Sequence, residues 1–259
     1  MAKPAVLAVA AHPDDVEFMM SGTLMLLGEA GHELHVMNVG SGNCGGQVED
    51  GPATAARRLE EARDAARVMG ATLHPPIADD LEILYSLDLL RRLAAVVREV
   101  RPAIVLTQCP LDYMEDHMYT TRLAVTAAFS RGMPNFQTEP PRPPVDGPAA
   151  VYHALPYGLC DGLRNRVTPH LYVDVDTVMD RRREALACHR SQREWLDASQ
   201  GLDSYVNTMA EMAREAGRWS GRFAHAEGWI RHSHLGFCGP GDDPLSEALG
   251  DRVAPHPAG

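Results

Sequence analysis

The chain has 259 residues, with 24 Lys plus Arg against 35 Asp plus Glu and a formal net charge of −11. Its composition, 45% hydrophobic and 23% charged, is that of a globular protein and excludes a mainly disordered chain. The acidic balance argues against a nucleic-acid partner, because affinity for a phosphate backbone rests on Lys and Arg.

Residues 5–11 (AVLAVAA) form a continuous apolar run, which predicts a parallel strand buried on both faces. The run is too short to cross a membrane, and no secretory cleavage pattern follows it. The cysteines (Cys44, Cys109, Cys160, Cys188 and Cys238) are scattered and form no CxxC. The reading is a soluble cytoplasmic protein with no membrane partner. A helix is expected over 15–30, stopped by Gly31, and a strand over 33–39. A Gly-rich loop follows over 40–51, then a helix over 53–69 ended by Gly70. A short strand over 71–74, a helix over 86–100 and a strand over 103–107 come next. After a loop over 108–116, residues 117–130 read as a helix. This alternation predicts an α/β class, a Rossmann-like three-layer sandwich around a mostly parallel sheet. The Pro-rich stretch 132–148 is a surface excursion. A strand is expected over 170–175, helices over 177–198 and 204–217, and a last strand over 225–231. The tail 239–259 is expected to be loosely ordered. No linker divides the chain, so 1–259 reads as one domain.

Chemistry concentrates at two predicted strand ends. Ala11-His12-Pro13-Asp14-Asp15 sits where the first strand gives way to a helix. Ligands of open parallel sheets bind beyond the carboxyl ends of the strands. His12 and Asp15 are donors suited to zinc. The helix N-terminus disfavours imidazolium and so should keep His12 neutral. An isolated Asp here would be a helix cap, but the clustered string favours a site. The second signal, Asp112-Tyr113-Met114-Glu115-Asp116-His117, follows the strand 103–107. In a doubly wound sheet these two strands are neighbours at the switch point, so His12, Asp15 and His117 can converge. Two His and one carboxylate leave positions open for water and substrate. Asp14 is then free to act as a general base. Gly40-Ser-Gly42-Asn-Cys-Gly45 fits G-x-G-x-x-G, but no helix opens on its third glycine. A pocket-side loop that lets the backbone approach a ligand is the better reading.

These strings resemble the PIG-L/LmbE-like zinc-dependent N-acetylglucosamine deacetylases over about residues 4–237. The most specific part is AHPDD at 11–15. The segments Arg58 to Gly70, His189-Arg-Ser191-Gln192 and Phe223-Ala-His-Ala-Glu227-Gly also look like family patterns. The resemblance implies His12, Asp15 and His117 as ligands of one Zn2+ per chain, with Asp14 as the base. It departs from the family at Met114, where the usual string has a His that serves the tetrahedral intermediate or the leaving amine. Tyr113 and Asp112 are the nearest candidates to replace it, with His153, His225 and His232 more remote. Tyr113 is taken as the catalytic donor. Arg58, Asp80, Asp112 and Met114 are the candidate substrate contacts. A salt bridge to Glu61 is the alternative for Arg58, and a turn pair the alternative for Asp79-Asp80.

The expected activity is removal of the N-acetyl group from an N-acetylglucosamine-type amino sugar or its conjugate, with release of acetate. The alternatives are an amidase of a thiol or antibiotic conjugate, or a non-catalytic sugar- or nucleotide-binding module. The resemblance also implies a homo-oligomer, a trimer or hexamer.

Overall fold

The computed structural model of the protein describes residues 3–194 and 204–257. Its strands are β1 (Ala5–Ala10), β2 (Glu33–Asn38), β3 (Thr72–His74), β4 (Pro102–Thr107), β5 (Ala150–Ala154), β6 (Leu171–Asp174), β7 (Ala226–Arg231) and β8 (Val253–Pro255). They form one sheet in the order β3-β2-β1-β4-β5-β7-β6-β8. Pairing is parallel from β3 through β5 and antiparallel beyond it. The main helices up to residue 187 are α1 (Asp15–Met19), α2 (Ser21–Glu29), α3 (Gly51–Met69), α4 (Leu87–Val100), α5 (Glu115–Phe129) and α6 (Met179–Ala187).

Alternation along β1 creates the layers. Val6, Ala8 and Ala10 point into one core, filled by α2, α6 and the helix Ser204–Ser220. Leu7, Val9 and Ala11 point into the other, filled by α4 and α5. Successive strand side chains face opposite ways, so a strand apolar on both faces needs helices on both sides. The class is therefore α/β with a mixed sheet whose central part is parallel. Helix ends follow local chemistry. Asp50 accepts from Ala53 N at 3.0 Å to open α3, and Gly70, at φ 74°, closes it. No helix among the described residues is long and apolar enough to cross a membrane.

Several expected elements differ. The helix expected over 15–30 is two helices that break at Met20 (φ −134°). The break is held from outside. Glu227 accepts from the amides of Gly22 at 2.9 Å and Thr23 at 2.7 Å, at the start of α2. Arg182 donates to the Phe18 carbonyl at 3.2 Å, near the end of α1, and pairs with Glu227 at 3.0 Å. The long helix expected over 177–198 ends at Ala187; residues 190–194 are helical again, and 195–198 lie outside the described residues. β5 was not expected at all, because its AVYHA run is short and follows the Pro-rich stretch. The loosely ordered tail is also corrected. Residues Pro244–Leu249 form a helix with Leu245 and Leu249 buried, and β8 pairs with β6. The apolar residues of the tail cover the end of the sheet despite their Pro- and Gly-rich setting.

His153 on β5 is buried and donates from Nδ1 to the Gln108 carbonyl at 2.9 Å. Its Nε2 therefore accepts from His232 Nδ1, at 3.0 Å. Burial, the largest influence, pushes His153 down to about 4. The unfolded chain binds this proton near the ordinary value of 6.5, so stability is lost as pH falls from 6.5 toward 4. At about 1.4 kcal/mol per unit, the part lost by pH 5 is about 2 kcal/mol. Urea midpoints at pH 7 and pH 5 should show it. His153→Asn keeps the donor to Gln108 and should flatten the dependence; an equally steep fall in that variant would refute the assignment.

Candidate active site

β1 and β4 lie side by side, so the loops that leave them open onto one crevice. The crevice is a cavity of about 420 Å³. His12, Asp14, Asp15, Arg58, Asp80, Asp112, Tyr113, Met114 and His117 all line it. At its centre, the donor atoms of His12, Asp15 and His117 lie within 4.8 Å of one another. His12 Nδ1 stands 3.4 Å and His117 Nε2 3.5 Å from the same oxygen of Asp15, Oδ2. That oxygen also accepts from the His12 amide at 2.8 Å.

The far side of each imidazole is fixed by a carboxylate. Asp116 Oδ2 lies 2.9 Å from His12 Nε2, and Asp112 Oδ1 lies 3.0 Å from His117 Nδ1. Each carboxylate calls for a proton on the nitrogen it faces, leaving His12 Nδ1 and His117 Nε2 for the centre. The Leu81 amide donates to Asp116 at 2.8 Å and the Met114 amide to Asp112 at 3.2 Å. Asp116 escaped the sequence reading. A carboxylate beside a candidate histidine was the signal available for it.

The charge balance suits a cation. Burial lowers His12, but Asp116 and Asp15 outweigh it and raise the group to about 10. This corrects the expectation that the helix N-terminus keeps His12 neutral. His117 is raised in the same way: Asp15 and Asp112 outweigh burial. Burial alone would raise Asp15, yet His117 and His12 hold it well below the usual carboxylate range. Protons on the two rings thus balance the surrounding carboxylates, and a divalent ion held by the same atoms would take over that role. Two imidazole nitrogens and one carboxylate oxygen, each ring backed by a carboxylate, form a donor set that fits zinc.

Asp14 stands beside this cluster with an unusual backbone, φ 113° and ψ −24°. Its Oδ2 accepts from Tyr205 OH at 2.7 Å and pairs with Arg58 at 3.3 Å. Burial pushes the Asp14 carboxyl up, although Arg58 opposes it. Tyr205 is buried and its phenol is held well above its ordinary value, chiefly by burial, so it stays a donor. No sequence pattern marked Tyr205; it reaches the site from a late helix.

Three expected contacts are reassigned. Arg58 does not bridge to Glu61; it is spent on Asp14 and on the Pro13 and Gly42 carbonyls. Glu61 instead accepts from Ser191 N at 3.0 Å and Ser191 Oγ at 2.6 Å. Asp80, expected to meet substrate, accepts from the amides of Gly42 at 2.8 Å and Cys44 at 3.1 Å. Asn43 accepts from the Asp80 amide at 2.9 Å, which locks the Gly-rich loop in place. The loop's glycines serve this packing, since a Cβ at Gly45 would collide with Arg58. Asp112, also expected to meet substrate, is committed to His117. Tyr113 and Met114 keep their places on the cavity wall, and Burial, with Asp15 and Asp112 beside it, pushes the Tyr113 phenol up, which keeps it a proton donor. The remote candidates fall away: His153 and His232 pair with each other, and His225 lies 2.6 Å from Asp176.

The sequence profile of one family, described as PIG-L, GlcNAc-PI de-N-acetylase, matches residues 7–128. A diacetylchitobiose deacetylase of Thermococcus kodakarensis is 28% identical over 194 residues, covering 72% of this chain and 69% of that one. A 4-oxalmesaconate hydratase of Pseudomonas putida is 28% identical over 199 residues, covering 73% and 74%. The structure of an N,N'-diacetylchitobiose deacetylase from Pyrococcus horikoshii superposes with a TM-score of 0.74 at 24% identity, covering 89% of this chain and 84% of that one. That last likeness carries the fold.

Proposed function

We propose, from the match of residues 7–128 to the PIG-L family, that this chain belongs to that family and is a zinc-dependent N-deacetylase of N-acetylglucosamine-type substrates. The observation that carries the reading is the convergence of His12, Asp15 and His117 beside a half-buried carboxylate, Asp14. His12, Asp15 and His117 would hold one zinc ion. When bound, zinc lowers the pKa of a water to about 7 and polarises the amide carbonyl. Asp14 takes the water's proton. Tyr205 and Arg58 both engage Oδ2, which orients the carboxylate and leaves Oδ1 to receive that proton. Tyr113, held protonated, donates to the developing oxyanion or the leaving amine, the task for which Met114 has no donor. Asp112 and Asp116 keep the imidazoles in the required tautomers. Acetate and a free amino sugar are the products.

The hydratase relative poses the competing reading, since its name makes 4-oxalmesaconate, an unsaturated acid, its ligand. A polyanionic substrate would need cations in the cavity beyond the metal site. Arg58 is the one Lys or Arg among the described lining residues, and Asp14 already neutralises it. That favours the amide.

The test is free-amine and acetate release from N-acetylglucosamine derivatives by the zinc-loaded protein. Hydration of a mesaconate-type acid without amine release would overturn the proposal. Metal analysis should give one zinc per chain, and light scattering a trimer or hexamer. The scattered free cysteines support a cytoplasmic location. Asp112→Ala should weaken zinc affinity about 10- to 100-fold, because His117 loses its orienting partner. Chelator competition measures it, and unchanged affinity would refute that role.

A further inference from the structure

One wall of the cavity is built of aromatic rings, from Tyr113 beside His117 round to Tyr205, which donates to Asp14. The Tyr113 ring stands 5.6 Å from that of His117 and 6.2 Å from that of Tyr157. Tyr157 stands 5.3 Å from Phe18, and Phe18 stands 5.6 Å from Tyr205. These are ordinary separations for packed rings, so the wall is continuous. In a chain only 6% aromatic, four such residues on one wall are a concentration that calls for a reason. Met114, Leu155 and Pro156 add apolar surface to the lining. At the mouth, Leu81, Tyr113 and Tyr157 line the cavity yet are 74%, 51% and 42% exposed. Grouped apolar exposure at a cavity mouth marks a contact surface.

Beyond the Tyr113 and Tyr157 hydroxyls, the polar side chains bordering the same space are engaged within the protein. Arg58 serves Asp14, Asp80 serves the loop amides, Asp112 serves His117, and Gln192 donates to the Gly45 carbonyl at 2.7 Å. A second sugar ring would bring several hydroxyls and give up their water for few partners. An aryl or alkyl group gives up no hydrogen bonds and gains the wall.

We infer that the substrate is an N-acetylated amino sugar with an apolar aglycone, lying along the Tyr113–Tyr157–Phe18 wall, with Tyr157 as the specificity-determining residue. This rests on the deacetylase reading and adds the chemical class of the aglycone. Tyr157 has that role because its ring lies between those of Tyr113 and Phe18 and is still 42% exposed while lining the cavity. Its turn is set by Gly158, at φ 73°.

The experiment compares N-acetylglucosamine, N,N'-diacetylchitobiose, and the phenyl and octyl β-glycosides of N-acetylglucosamine with the zinc-loaded protein. The expected kcat/KM for the phenyl or octyl glycoside exceeds that for diacetylchitobiose by on the order of tenfold. Tyr157→Ala should bring that ratio close to one, and Tyr157→Phe should preserve it. Equal or better turnover of diacetylchitobiose would overturn the inference. So would a Tyr157→Ala variant that slows every substrate by the same factor. If no substrate releases amine, the deacetylase reading has failed, and calorimetry on the same protein decides the aglycone separately. Tighter binding of the phenyl glycoside than of diacetylchitobiose, lost in Tyr157→Ala, would sustain it; equal binding would overturn it.

Discussion

Asp14→Asn is expected to keep its metal and lose turnover by about 10³-fold, the scale of a missing general base. The change is nearly isosteric. An asparagine oxygen still accepts from Tyr205 and Arg58, the two groups that hold the side chain. What disappears is the capacity to take a proton. Asparagine also suits the backbone, since it tolerates positive φ better than most residues, and Asp14 sits at φ 113°. Asp14→Ala would mix lost chemistry with backbone strain and a broken contact to Tyr205. The measurement is kcat together with zinc content on the same preparation. A near-normal kcat at full zinc occupancy would remove Asp14 from the mechanism.

The largest expected effect on stability falls on the Arg182–Glu227 pair. Glu227→Gln should cost about 3–5 kcal/mol, because it strips the counter-charge from a buried guanidinium. The two side chains are 2% and 4% exposed. Glutamine would also turn an amide nitrogen toward donors, either the helix amides or Arg182. Removing both charges with Arg182→Met and Glu227→Gln should cost less than Glu227→Gln alone plus Arg182→Met alone. Urea denaturation of the single and double variants measures both values. Strict additivity would show that the two residues act independently. The consequence reaches the site, since α1 opens with Asp15 and closes at this pair.

The legible parts of the molecule share one property: their signal lies within a few neighbouring residues. The apolar run of β1 and the His-Pro-Asp-Asp string at its end mark themselves, and β4 with its following string does the same. Their convergence then follows from the topology of a doubly wound sheet. What stayed hidden depends on distant or anonymous partners. Arg58 and Asp80 bond to main-chain carbonyls and amides, which every residue carries and no pattern reveals. Tyr205 meets Asp14 across 191 residues. The α1–α2 break has no proline and no local cause; it is made by Glu227 and Arg182 from the far end of the chain. β5 and β8 are too short to show a period.

β1 is paired on both edges, buried along its whole length and wedged between two cores. Amides in such a strand exchange with solvent only when the whole molecule opens. His12 and Asp15 therefore hang from the slowest-opening segment available, while Tyr113 and Tyr157 at the mouth sit on short, exposed segments outside the sheet. The protein can breathe at its entrance to admit and release ligands while the metal donors keep their spacing between openings.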